Sequence, residues 1–224
     1  MIYLTGDTHI PIDIEKLSKK NFPQQKYMTK SDYVIILGDF GLYWRNNEVF
    51  CYWYEWLQNR NFTVLWVDGN HENYDMIAKL PVSEWNGGLV QRDGDIIHLM
   101  RGNVYTIEDN KIFVFGGAYS IDKAYRQNRI SWWEEEEYSL QERKLALSNL
   151  DKHDWKVDYV LTHACPYIIK EIMFGYRDET STELFLEQIK NKLQFKDWYF
   201  GHYHEDKDYQ NYHELYYDIR RLGT

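Results

Sequence analysis

The stretch Val64-Leu65-Trp66-Val67-Asp68-Gly69-Asn70-His71-Glu72 decides how this chain is read. A short apolar run that stops at a glycine turn reads as a buried strand. Its end carries asparagine, histidine and carboxylates, the side chains that hold metal ions. The arrangement recurs. Ile2-Tyr3-Leu4 runs into Gly6-Asp7-Thr8-His9, Tyr33 to Leu37 into Gly38-Asp39, Tyr159-Val160-Leu161 into Thr162-His163, and Trp198-Tyr199-Phe200 into Gly201-His202-Tyr203-His204. A further run, Ile112 to Phe115, ends in Gly116-Gly117 without a ligand. Strands that share a direction deliver their ends to one edge of a sheet, where ligands bind. The ligand-bearing loops are therefore expected to meet in one place.

The segments between these runs predict helices. Val49, Tyr52, Trp53, Trp56 and Leu57 recur at helical spacing, so Asn47 to Arg60 reads as an amphipathic helix. Tyr74 to Leu80 reads as a shorter one, ended by Pro81. Alternating strand and helix predicts a partly parallel sheet covered by helices. Strand-like runs at Leu89-Val90, Ile96 to Leu99, Val104 to Ile107 and Ile112 to Phe115 predict an antiparallel meander that opens a second sheet. Ser131 and Glu134 match a capping box, which predicts a long helix whose first turns hold the solvated glutamates Glu134 to Glu137. Thr180 to Phe195 reads as a further helix with a Thr180/Glu183 box, and Tyr209 to Arg220 as a closing hairpin. There is no repeat, low-complexity tract or linker, so one domain over residues 1–224 is expected.

Composition narrows the function classes. A hydrophobic fraction of 44% and an aromatic fraction of 17% support a packed globule. The net charge of −9 repels polyanions and argues against an extended nucleic-acid surface. No apolar stretch reaches a membrane span, and the N-terminus enters a strand at once. Cys51 and Cys165 form no CxxC pair and read as reduced core residues. A cytoplasmic location is the expectation.

Asp7, His9, Asp39, Asn70, His163, His202 and His204 are more ligands than one ion needs from protein, and they suit two. Two metals about 3.5–4 Å apart clamp a phosphate ester for hydrolysis. A carboxylate can bridge both, and Asp39, alone on its loop, is the choice over Asp7. Asp7 with His9, and His202 with His204, are two residues apart, a spacing that sends both side chains to one side of an extended segment. Mixed imidazole and carboxylate ligands suit Mn, Fe, Zn, Ni or Co better than Mg or Ca and do not choose among them; two divalent transition-metal ions, manganese first, are the expected cofactors. Gly6, Gly38, Gly69 and Gly201 each stand just before a ligand. Taken singly, His98, His153 and His213 read as surface or hydrogen-bonded residues.

The ordered set Asp7-x-His9, Gly38-Asp39, Gly69-Asn70-His71-Glu72, Thr162-His163 and Gly201-His202-Tyr203-His204 resembles the calcineurin-like metallophosphoesterases over nearly the whole chain. The resemblance implies a mixed α/β fold of four layers, two mixed sheets face to face with helices outside. It implies that Asp7, His9 and His204 bind a first metal, that Asn70, His163 and His202 bind a second, and that Asp39 bridges them. It also implies that His71 assists the leaving group without binding metal. Many relatives continue the second motif into a further Asp and an Arg. Here Phe40-Gly41-Leu42-Tyr43-Trp44-Arg45 follows, with Arg45 as the substitute. The third motif carries Glu72 where Asp is more usual.

The expected chemistry is hydrolysis of a phosphoester by metal-activated hydroxide, with general acid help from His71 worth roughly 10²–10⁴-fold. Asp68 or Glu72 is the expected partner orienting His71. Between Gly116 and Arg126 lies a segment rich in phosphate donors and stacking groups. Lys123 and Arg126 are expected on phosphate, and Tyr119 or Tyr125 against a ring. The expected substrate is a small phosphorylated molecule, nucleotide-like and first of all a diester, a cyclic nucleotide included. The alternatives are a nuclease, opposed by the charge, a phosphoprotein phosphatase, opposed by the altered second motif, and a non-enzymatic scaffold, opposed by the complete ligand set.

Overall fold

A computed structural model describes residues 1–224. The first sheet contains β1 (Ile2–Thr5), β2 (Tyr33–Leu37), β3 (Thr63–Val67), β4 (Val82–Trp85), β5 (Gly88–Asp93) and β6 (Ile96–Leu99). The second contains β7 (Asn103–Ile107), β8 (Asn110–Phe115), β9 (Tyr159–Thr162), β10 (Asp197–Phe200), β11 (Lys207–Tyr209) and β12 (Tyr212–Glu214). A final strand, β13 (Arg220–Arg221), returns to the first sheet beside β1. The strand orders are β13-β1-β2-β3-β6-β5-β4 and β11-β12-β10-β9-β8-β7. Both sheets are mixed. β1, β2, β3 and β6 run parallel in one, and β8, β9, β10 and β12 in the other.

The alternation of side chains along each strand builds the layers. Leu4, Ile35, Leu65 and Ile97 face Ile112, Val114, Leu161 and Tyr199 in a core between the sheets. Val34, Ile36, Val64 and Trp66 point outward, under Leu57 of helix α1 (Glu48–Gln58) and the turn containing Ile14 and Leu17. A one-turn helix, α2 (Tyr74–Ile77), follows β3. On the other outer face Phe113, Phe115, Val160 and Trp198 pack beneath three helices, α3 (Leu140–Lys152), α4 (Tyr167–Phe174) and α5 (Ser181–Lys190). The expected four-layer mixed α/β arrangement is present.

Several local expectations differ. β4, β5 and β6 stay in the first sheet, and the chain crosses to the second only after Leu99. No long helix starts at Ser131. Glu136 turns inward, is buried, and accepts from Ser120 Oγ and the Trp133 amide, so only one 3₁₀ turn forms over Glu134–Glu136. The helix begins at Leu140, where Ser139 and Glu142 make the reciprocal capping box. Thr180 does cap α5, but the Glu183 side chain leaves the cap for Lys170 and Tyr203. α4 was not anticipated, since its eight residues follow directly on the His163 loop. The closing hairpin is β11–β12, shorter than Tyr209 to Arg220. Cys165 is buried as expected, whereas Cys51 is exposed on α1. No helix is long and apolar enough to cross a membrane.

Candidate metal centre

Register brings the candidate ligands together. Thr5 pairs with Ile36, and Leu37 with Val67, so the loops after β1, β2 and β3 leave one edge side by side. β9 and β10 are parallel neighbours and place His163, His202 and His204 at the facing edge of the second sheet. Donor atoms of Asp7, His9, Asp39 and His204 all lie within 4.8 Å of one another. His163 Nε2 is 3.4 Å from Asp39 Oδ1, and His9 Nε2 is 3.3 Å from Asp39 Oδ2. The two Asp39 oxygens thus face ligands from opposite sides, the disposition a bridging carboxylate needs. The His163 and His202 rings are 4.9 Å apart. All seven residues and His71 converge on this edge.

Close approach explains two glycines. A Cβ on Gly69 would sit 2.1 Å from Asp39 Oδ1, and one on Gly38, whose φ is +100°, would sit 2.0 Å from His163 Nδ1. His9, Asp39, His202 and His204 hold positive φ without being glycine. Such conformations cost roughly 1–3 kcal/mol each and concentrate at functional sites.

The donor set fits divalent cations. Asp7 and Asp39 are buried carboxylates, and Asp7 Oδ2 has no hydrogen-bond partner, although His204 Nε2 lies 3.0 Å away out of alignment. His163 Nδ1 donates to the Leu37 carbonyl at 2.8 Å, which turns the Nε2 lone pair of the neutral ring inward. Asn70 Nδ2 donates to Ser120 Oγ at 3.0 Å, which turns Oδ1 inward. His163 Nε2 and Asn70 Oδ1 stand 3.1 Å apart, a gap that a proton or a cation can join. With the unpartnered buried carboxylate oxygen of Asp7 beside them, this edge calls for shared positive charge. Burial works to lower the pKa of His9, but Asp39 and Asp7 raise it to about 9. Burial likewise opposes a proton on His163, yet Asp39 and Asp7 hold its pKa at about 10. The field that favours protons on these rings favours divalent cations between them. His202, by contrast, is pushed down to about 3 by burial and by His163, and so offers a neutral imidazole.

A supporting shell surrounds the ligands. Asp13 Oδ2 lies 2.9 Å from His9 Nδ1. Lys16 Nζ donates to the carbonyls of Gly6, Asp7 and Tyr216. Glu72 accepts from the Phe40 amide at 2.7 Å and the Gly41 amide at 3.3 Å, fixing the Asp39 loop. Such partners orient ligands and tune their basicity. Lys16, Ser120, Glu136 and Tyr216 escaped the sequence reading because each acts through a contact distant in sequence, and Asp13, four residues from His9, because it belongs to no motif.

His71 stands beside the ligands, its ring 5.8 Å from that of His9. Its amide donates to Asp39 Oδ1 at 2.7 Å. Neither Asp68 nor Glu72 orients it. Asp68 is taken up by Arg101, His98 and Tyr74 behind the site, and Glu72 by the Phe40 turn. The group at the ring is Arg126, whose Nη2 lies 3.1 and 3.0 Å from the two nitrogens. Burial, then Arg126 and neighbouring histidines, lower the His71 pKa, with Asp39 opposing.

A cleft of about 430 Å³ opens over this edge, and Tyr119, Asp122, Arg126 and Tyr176 line it. Of the other candidates, Tyr125 is almost fully exposed and outside the cleft. Lys123 packs its ammonium over the outer face of Tyr119, 4.2 Å from the centroid. Arg45 lines a separate groove with Ile10, Gly41 and Trp44, because the 3₁₀ turn Leu42–Trp44 carries it away from the ligand edge.

The pattern of the calcineurin-like phosphoesterases matches residues 1–206. The chain belongs to the calcineurin-like phosphoesterase family. No curated protein matches it. Among solved structures it is similar to a putative 5'-nucleotidase from Staphylococcus aureus, solved in complex with alpha-ketoglutarate. The identity is 15% and the TM-score 0.48, with 96% of this chain and 48% of the other covered. The chain thus spans about half the length of that relative.

Proposed function

We propose that this member of the family is a dinuclear-metal hydrolase of a small phosphoester, with a nucleotide-type diester as first choice. One observation carries the reading: five strand-end loops bring seven ligand-type side chains to one edge, with His71 and Arg126 beside them. In this reading Asp7, His9 and His204 hold one ion, Asn70, His163 and His202 the other, and Asp39 both. Bound there, two divalent ions supply water activation and charge stabilisation for the phosphoryl oxygens. Manganese is the first choice.

The protein's own groups do the rest. Asp39 fixes the His71 backbone through its amide, so the acid is registered to the ligand set. His71 donates a proton or a hydrogen bond to the departing oxygen. Arg126, held by Asp122 at 2.8 Å, keeps a guanidinium against the His71 ring and within reach of a phosphate oxygen. Tyr119 offers an aromatic face to the remainder of the substrate. We read residues 1–224 as one domain, because both sheets contribute ligands to one centre.

The test is hydrolysis of bis(p-nitrophenyl) phosphate and of p-nitrophenyl phosphate across a Mn²⁺ titration. Metal-dependent turnover with the diester preferred is expected. Turnover indifferent to metal, or absent for both esters, would overturn the reading.

A further inference from the structure

The cleft beyond the ligands has two cations and no unengaged one. Lys170 is buried, and its three protons go to the Asp178 carbonyl, to Asp178 Oδ2 at 3.3 Å and to Glu183 Oε2 at 2.7 Å. Glu183 accepts in turn from Tyr203 at 3.0 Å, between the ligands His202 and His204. Arg126 gives Nε to Asp122 and Nη1 to the Ser131 carbonyl at 3.4 Å, and sets Nη2 against the His71 ring. Asp122 and Asp178 leave about half or more of their side-chain surface open to solvent, at 50% and 60%. Past the phosphate position the wall is therefore anionic, interrupted by the rings of Tyr119, Tyr176 and Tyr203. Tyr176 is itself 55% exposed, and its ring stacks on Phe174 at an interplanar angle of 22°.

We infer that the cleft admits a substrate with one phosphate and an uncharged ring-bearing group, of the nucleoside type, and rejects a second phosphate. The inference rests on the proposed hydrolysis. Metal ligands and Arg126 take the single phosphate. A second one meets the exposed carboxylates of Asp122 and Asp178, while the two cations there, Arg126 and Lys170, are already engaged, and like charges brought together at a binding surface exclude the wrong partner. A nucleoside, without charge, meets no such repulsion and finds the rings of Tyr119 and Tyr176, which stack on any base. Polyphosphates and nucleoside bisphosphates are disfavoured by the same wall.

The test compares calorimetric affinities of the Mn²⁺-saturated protein for thymidine 5′-monophosphate, thymidine 3′,5′-bisphosphate and deoxyribose 5-phosphate. The bisphosphate should bind at least about tenfold more weakly than the monophosphate, despite its added charge. Asp178→Asn should narrow that gap while changing monophosphate affinity little. Deoxyribose 5-phosphate, without a base, should also bind more weakly than the monophosphate. Equal or tighter bisphosphate binding would overturn the inference, and so would a sugar phosphate that binds as well as the nucleotide. Turnover of thymidine 5′-(p-nitrophenyl phosphate) is scored separately. If it is absent while the affinity order holds, the diesterase reading fails and the selectivity stands.

Discussion

The ring of Tyr216 lies face to face with that of His204, 4.5 Å between centroids and 11° from parallel. Its hydroxyl donates to Asp13 Oδ2 at 3.3 Å, the same oxygen that meets His9 Nδ1 at 2.9 Å. One tyrosine therefore braces two ligands of the same proposed ion. Tyr216 lies beyond the family match at residues 1–206, on the segment that links β12 to β13 and so joins both sheets.

Tyr216→Leu should weaken Mn²⁺ binding about 10–100-fold, the usual effect of losing a partner that orients a ligand. Tyr216→Phe keeps the stack and should lose less. Calorimetric Mn²⁺ titration checks both, with circular dichroism to confirm folding. Unchanged affinity in Tyr216→Leu would show that the stack is incidental.

Glu136 predicts a pH dependence. Burial raises its pKa from an ordinary 4.5 to about 7, against hydrogen bonds from Ser120 and Trp133. The folded protein keeps this proton where the unfolded chain has lost it. Stability should therefore fall as pH rises from about 4.5 to about 7, and this contribution should be flat above that. Glu214, raised by burial to about 8, acts in the same direction. In EDTA, Glu136→Gln should show a shallower fall in Tm between pH 5 and 7 than the parent. Identical slopes would contradict the assignment.

His71→Ala should leave Mn²⁺ affinity largely intact and slow turnover roughly 10²–10⁴-fold on an ester with a poor leaving group. The loss should shrink with p-nitrophenolate, which departs without a proton. Full activity on an alkyl phosphate ester would remove His71 from the acid role.

The legible parts of this chain were those written in local pattern. Short apolar runs such as Val64 to Val67, each ending in a glycine and a ligand, mark both the parallel strands and the convergent edge. The helix after Asn47 was equally plain from its apolar spacing, and in the structure the Asn47 side chain caps it. What stayed hidden depends on partners far along the chain. Glu136 looks like one of four solvated glutamates, yet it is buried on Ser120, and its inward turn ends the expected helix. Arg126 read as a substrate contact, but its place against His71 follows from the fold of the loop after β8. Lys123 and Arg45 were plausible by charge, and local turns carry both out of the cleft. Asp13 and Tyr216 belong to no motif, and the hydrogen bond that links them spans almost the whole chain.

The central claim is a pair of ions held by the seven convergent ligands and bridged by Asp39. Anomalous diffraction from crystals soaked in Mn²⁺ tests it most directly. The account predicts two peaks about 3.5–4 Å apart among Asp7, His9, Asp39, Asn70, His163, His202 and His204, and the loss of both in Asp39→Ala. A single peak, or none at saturating Mn²⁺, would contradict it.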